Sequence, residues 1–392
     1  LLFNLIISDP IIITTRDKDL VIIEHHKEDP YNNQLILEKI TTYKNQKLFK
    51  RESYWNNSQL KEEEHYKNGK KDGRWAWYYD NGQLDQEKNY KDGLIDGKST
   101  WYFSNGQLGS ETNYKAGELN GRWVWYYDNG QLREEANYKD GLVDGKGTRY
   151  YDNGQLEQEK NYKDGLEDGR WAWYDEGKLK KEEHYKNGKK DGRWTWYSDG
   201  VDANKEGIVK EENYKDGEKD GRWIWYDNGE LTREENYKNG IKNGKWVYYS
   251  FPGKIEREEN YKDEVRDGKW SWYSTNGQLE KEKNYKDGIK NGRWAWYSLK
   301  TGQLQLESYY KDGLEDGRWT WYYDNGQLEK EENYKDGLVD GKWAKYYENG
   351  QIKVDINYSN SQLNGMATQY YENGQLAKEE NYIDGQQDGR WV

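Results

Sequence analysis

An all-β chain of tandem hairpins is the fold this sequence predicts. Three observations carry that prediction. One pattern recurs about every 24 residues, two glycine-marked turns punctuate each recurrence, and the apolar weight sits in aromatic rings.

The period is read from the Tyr of "NY" or "HY". It falls at Tyr66, Tyr90, Tyr114, Tyr138, Tyr162, Tyr185, Tyr214, Tyr237, Tyr261, Tyr285, Tyr310, Tyr334, Tyr358 and Tyr382. The steps are 23 to 25 residues, apart from a single step of 29, and a degenerate unit places Tyr43 one period earlier. A fixed period of this length is the signature of a repeat architecture. We therefore expect a strand-rich cap over residues 1–42 and a repeat array over 43–392.

The turns come next. In "YYDNGQL" the Asn-Gly pair is the strongest short hairpin signal, since both central residues of a type I′ turn need positive φ. The second connection, "YKDGLVDGKW", is longer and carries two Asp-Gly pairs. Each unit thus reads as one antiparallel hairpin, and consecutive hairpins join into a meander.

A two-residue turn at Asn325-Gly326 sets the faces. It puts Tyr323 opposite Leu328, Trp321 opposite Lys330 and Trp319 opposite Glu332, with Tyr334 on the same face. The other face takes Tyr322 with Glu329, Thr320 with Glu331 and Arg318 with Asn333. One face is an aromatic ladder; the other is expected to be salt-paired and wet. The predicted product is an elongated, single-layer, twisted, solenoid-like antiparallel sheet of about 15 hairpins, on the order of 140 Å long at the usual strand spacing.

This asymmetry accounts for an odd composition. Of 392 residues 33% are hydrophobic and 34% charged, which ordinarily signals disorder, yet there are 21 Trp, 38 Tyr and 42 Gly. A one-layer sheet has one face to hide, and each ring covers about 150–250 Å². Trp75, Trp123, Trp171, Trp194, Trp223, Trp246, Trp270, Trp294, Trp319, Trp343 and Trp391 hold a first slot. Trp77, Trp101, Trp125, Trp173, Trp196, Trp225, Trp272, Trp296 and Trp321 hold a second. The slots lapse at Gly147 and Arg149, and again at Ala367 and Gln369.

Net charge is −12, which disfavours nucleic acid and anionic membrane surfaces and suits a basic protein or a neutral polymer. The absence of Cys excludes disulfides and thiolate metal sites, and no stretch approaches the roughly 20 apolar residues of a membrane helix. The opening "LLFNLIISDP" reads as a first strand covering the end of the array; read instead as a signal-peptide tail, it has no basic start before it. The compartment is open between cytoplasmic and secreted or surface-associated. The 29-residue step comes from a tight turn that swells at "SDGVDANKEGIVKEE".

Catalytic chemistry needs unique residues in unique places, and the repeat supplies almost none. His65 and His184 replace Asn before the anchor Tyr, while His25 and His26 are strand neighbours pointing to opposite faces. The carboxylates of "KEEN" and "REEN" are periodic and read as solvated cross-strand pairs, and the "DGLEDG" loops as turn chemistry. No catalytic residue, metal ligand or cofactor is assigned. The serious candidate is the ladder, since exposed aromatic rows bind sugar rings and cations. Its candidate surface is Trp75, Trp77, Trp123, Trp125, Trp171, Trp173, Trp194, Trp196, Trp223, Trp225, Trp270, Trp272, Trp294, Trp296, Trp319 and Trp321.

The motif "NYKDG…DGKW…YYDNGQL", recurring from about Tyr43 to Val392, resembles the MORN repeat variant, a 23–24-residue type found in bacterial proteins that include YwqK-family antitoxins. The resemblance implies a single-layer sheet of stacked hairpins and non-enzymatic roles in protein binding, scaffolding or toxin neutralisation. Three functions follow as expectations. The first is an interaction scaffold or immunity-type binder of a basic protein. The second is a surface-associated module binding glycan through its rings. The third is self-association through open sheet edges.

Overall fold

The computed structural model describes residues 11–389 except 18, 30, 33, 199–206 and 251. The opening segment 1–10, the body of the swollen turn and Trp391 lie outside the described residues. The described residues contain strands and turns and no helix. They fall into two units, Leu1–Lys190 and Asp191–Val392. Each unit is an open antiparallel sheet in which strands adjacent in sequence are neighbours, as a meander of hairpins requires.

In the first unit the sheet begins with Ile11–Asp17, which pairs with Leu20–Glu28, which in turn pairs with Leu35–Lys44. Leu35–Lys44 also pairs with Lys47–Tyr54, so the leading strands and the repeats share one ladder. In the second unit the repeats run from Gly192–Tyr197 to the pairing of Leu376–Ile383 with Gln386–Gln387.

The body of the predicted register is observed. Arg318 faces Asn333, Trp319 faces Glu332, Thr320 faces Glu331 and Trp321 faces Lys330. At the turn the prediction fails by one residue, because Tyr322, not Tyr323, pairs with Leu328 across a register shift. The cause is the turn itself. Only Gly326 is left-handed there, at φ 83°, and Asn325 is not. The turn is therefore a longer one, closed by Gly326 N–H to the Tyr323 carbonyl and Tyr323 N–H to the Gln327 carbonyl, both 2.9 Å. The Asn325 side chain accepts from Gln327 N–H at 2.9 Å, satisfying a donor the turn would otherwise leave open.

The two-residue type I′ turn sits at the other end of the unit. Asp336 has φ 49° and Gly337 φ 86°, flanked by the paired Lys335 and Leu338. The second Asp-Gly is a bulge inside the following strand: Gly341 has φ 99°, and the register jumps between the Tyr334–Val339 and Glu332–Trp343 pairs. In many units an Asn before the anchor Tyr spans that gap. Asn333 donates its side-chain amide to the Lys342 carbonyl at 2.7 Å, and Asn89 does the same to Lys98 at 2.9 Å. A bulge breaks the ladder, and this side chain restores the lost bond.

Consecutive hairpins are tied beyond the ladder. The Tyr323 hydroxyl donates to the Tyr346 carbonyl at 2.8 Å and the Asn325 amide to the Glu348 carbonyl at 2.9 Å. At the opposite edge Asp340 accepts from the Asn360 N–H at 3.1 Å.

Candidate binding surface

The ladder is largely occupied by its own members. Most first-slot indoles, Trp75, Trp171, Trp223, Trp246, Trp270, Trp294 and Trp319 among them, sit between the anchor tyrosines of successive units. Ring centroids lie 5.3 Å apart for both Tyr66–Trp75 and Trp75–Tyr90, and 5.4 and 5.1 Å for Tyr285–Trp294–Tyr310. The tilted and edge-on geometries are those the ring quadrupole favours. The indole N–H is also used: Trp171 donates to the Asn161 carbonyl and Trp294 to Asn284, each at 2.9 Å. Trp75, Trp171, Trp194, Trp223, Trp270 and Trp294 are consequently buried. Trp123 and Trp319 are half-buried, as are the second-slot rings Trp77, Trp173, Trp196, Trp225, Trp272, Trp296 and Trp321, while Trp125 is exposed.

Charged side chains cover those second-slot rings. Lys181 lies over Trp173 at 4.7 Å, Arg233 over Trp225 at 3.8 Å and Lys330 over Trp321 at 4.4 Å. A further row stacks on the first slot, with Lys219 over Trp223 and Lys242 over Trp246, both at 4.0 Å. Between these cation rows runs a line of carboxylates that the sequence alone predicts to be solvated. Glu183, Glu212, Glu235, Glu259 and Glu332 are instead buried among the rings. Each accepts from the hydroxyl two residues on, as in Tyr214 to Glu212 at 2.7 Å, and pairs with the cation two residues back, as in Arg257–Glu259 at 3.0 Å. The alternation basic-x-Glu-x-Tyr is visible in "KEENY", and strand periodicity would have placed all three on one face.

Glu332 shows the energetics. Burial pushes its carboxyl up, but the ion pair with Lys330 and donations from Tyr334 and Trp343, both at 2.7 Å, outweigh it and hold the group below the usual carboxylate range. Lys283 replaces the glutamate in one unit. Its ammonium lies 4.4 Å over Trp294, and burial together with Lys281, Lys290 and Arg266 pushes its pKa down.

The opposite face is salt-paired as predicted but not wet at its centre. Ala76, Val124, Ala172, Ala295 and Ala344 are fully buried there. Ion pairs roof them. Arg74 reaches Glu63 and Glu87, each at 2.9 Å, and the Tyr78 hydroxyl at 3.2 Å. Burial pushes the Glu331 carboxyl up, but Lys342 at 2.9 Å, Tyr346 at 2.8 Å and Arg318 at 2.8 Å donate to it and hold it below its ordinary range. A small residue beneath long paired side chains is how a single sheet obtains a second apolar layer.

Among the described residues no group of three or more His, Asp or Glu is placed to hold a metal ion. Among the described residues no helix is long and apolar enough to cross a membrane. His65 and His184 each bond a glutamate two residues back, at 3.2 and 2.9 Å.

A family model for the MORN repeat variant matches residues 50–68, 71–92, 95–116, 119–140, 143–164, 167–187, 219–239, 266–287, 315–336, 339–360 and 363–384. The chain belongs to the MORN repeat variant family. Comparison with curated proteins gives no match. MORN repeats commonly serve as protein-interaction or scaffold modules, and the family is generally non-catalytic. Two stretches outside the matched residues, 240–265 and 288–314, fold as the same hairpin. Gly244–Ser250 pairs with Lys254–Lys262, and Gly292–Tyr297 with Leu304–Lys311, in the register of the other MORN units.

Proposed function

We propose that this MORN repeat protein is a non-catalytic scaffold that binds a basic protein along the edge that the type I′ turns form within a unit. The observation that carries the reading is the regular placement of aspartates on that edge. Asp140, Asp164, Asp287, Asp312 and Asp336 each occupy the first left-handed turn position and are exposed. The bulge aspartates behind them are fixed: Asp267 accepts from Asp287 N–H at 3.0 Å and Asp340 from Asn360 N–H at 3.1 Å. Two strands per unit space such carboxylates about 10 Å apart, a pitch that a basic segment can follow. The net charge of −12 favours the same partner. The ladder contributes rigidity, its first-slot rings being spent on their tyrosine neighbours.

The test is a low-salt pull-down from lysate of the source organism with mass spectrometric identification. Parallel baits carry Asp287→Asn, Asp312→Asn and Asp336→Asn. Asparagine already holds this turn position at Asn187 and Asn239, so the fold is retained. A stoichiometric basic protein, released by moderate salt and lost from the triple variant, is expected. Recovery of the bait alone, or capture indifferent to salt and to the three substitutions, would refute the reading.

A further inference from the structure

Gly147 interrupts the ladder inside the first unit and leaves a notch of about 180 Å³, lined by Trp123, Ala136, Tyr138, Arg149, Lys160 and Tyr162 among others. Neighbouring units show what this position normally contains. In the next one, Trp171 lies between Tyr162 and Tyr185 at 5.3 and 5.0 Å and donates its N–H to the Asn161 carbonyl at 2.9 Å. That carbonyl also takes the Asp168 N–H at 3.0 Å. In the Gly147 unit the corresponding carbonyl, Asn137, takes the Asp144 N–H at 2.8 Å, and no indole reaches it. By correspondence with the filled unit, Tyr138 and Tyr162 flank a ring-sized space, and the Asn137 carbonyl is the acceptor that an indole there would meet. Ala136 occupies the slot that holds a buried glutamate in several other units, so that side of the notch is apolar, while Arg149 and Lys160 line it elsewhere.

We infer that this notch receives the tryptophan side chain of a partner protein, its ring entering between Tyr138 and Tyr162 and its N–H donating to the Asn137 carbonyl. The inference deepens the scaffold reading and rests on it for the protein nature of the partner. Size selects that source. Pockets for whole small ligands run about 300–1,000 Å³, and this one holds a single ring, the dimension of an anchor on a larger surface. The chemistry selects indole over phenyl, because the equivalent Asn161 carbonyl takes both a backbone N–H and an indole N–H, whereas Asn137 takes the backbone N–H alone and keeps an accepting lone pair for a ring that carries a donor.

The notch can be closed without disturbing the backbone. A Cβ on Gly147 would meet the Glu135 carbonyl at 3.6 Å and Ala136 at 3.9 Å, ordinary contacts, so Gly147→Trp can rebuild the ladder. Gly147→Ser leaves the ring space open and serves as the control. The probe is N-acetyl-5-fluorotryptophanamide, followed by ligand-observed fluorine NMR against the full chain. Saturable broadening is expected with a dissociation constant on the order of millimolar, as befits one ring. Gly147→Ser should retain it and Gly147→Trp should weaken it at least tenfold. In competition, N-acetylphenylalaninamide should bind about fivefold or more weakly than the indole probe. Equal broadening by wild type and Gly147→Trp, or none by wild type, would overturn the inference. So would free tryptophan competing better than the amide. None of these outcomes touches the aspartate edge, whose loss is read separately in the pull-down.

Discussion

The indole N–H of Trp223 donates to the backbone carbonyl of Asn213, ten residues back, at 2.9 Å. The same ring lies 5.2 Å from Tyr214 and 5.3 Å from Tyr237. One side chain thus joins two hairpins by stacking and fixes its own tilt by a bond. Trp223→Phe keeps much of the area and loses the donor, so it should cost about 1 kcal/mol. Trp223→Ala should cost about 3–5 kcal/mol. Urea unfolding followed by tryptophan fluorescence separates the two, and hydrogen exchange should place the loss in the strands around residue 223 rather than across the chain.

The type I′ turn gives a prediction with opposite signs of tolerance at adjacent positions. Gly337→Ala forces a Cβ into φ 86° and should destabilise by about 1 kcal/mol. Asp336→Asn should be close to neutral, since Asn239 holds the equivalent place at φ 49°. Thermal melts of the two variants beside wild type decide it.

Acid sensitivity should trace to the buried carboxylates. Glu332 has a folded pKa below its unfolded value, so its contribution is complete above the unfolded value of about 4.3 and is lost as pH falls through the folded one. Stability measured by urea midpoint should therefore fall below about pH 4. Glu332→Gln should start lower at neutral pH and show a shallower acid slope. A parallel slope in the two proteins would refute the assignment.

Lys283 offers a stabilising change. Glutamate there would restore the alternation seen at Lys210–Glu212–Tyr214, with Lys281 behind it and the Tyr285 hydroxyl ahead. It would also relieve the repulsion among Lys281, Lys283, Lys290 and Arg266. Lys283→Glu should raise stability by about 1 kcal/mol at neutral pH, and the gain should shrink on acidification. A loss of stability at neutral pH would show that the cation is required where it is.

The strand pairing of Trp319 with Glu332 and Trp321 with Lys330 was legible in the sequence, because ring spacing and strand periodicity leave no other face for them. The turn types were not. Asn-Gly and Asp-Gly are both competent for type I′. What separates them is Asn325, whose side chain closes a longer turn and whose amide is engaged by the following hairpin. That is a tertiary contact, and local propensity does not encode it. The buried glutamates escaped for a related reason. Glu332 looks like any surface carboxylate until neighbouring strands bring indoles to both sides of it. At the Gly147 notch the lapse in the ladder was readable, but the flanking tyrosines and the Asn137 carbonyl were apparent only from the geometry of the filled units.

The bonds from Tyr323 to Tyr346 and from Asn325 to Glu348 each reach 23 positions ahead, to a backbone carbonyl rather than a side chain. At these two bonds a hairpin recognises its successor by chain geometry rather than by side-chain identity. In hereditary terms this makes the array forgiving of copying errors in whole units. Recombination between homologous stretches of DNA that inserts or removes 24 codons in frame would present each tyrosine and asparagine with an equivalent carbonyl. A slip of 12 would offer the wrong edge. Length can then drift by selection on what the surface must span, while the local grammar of each hairpin stays unchanged.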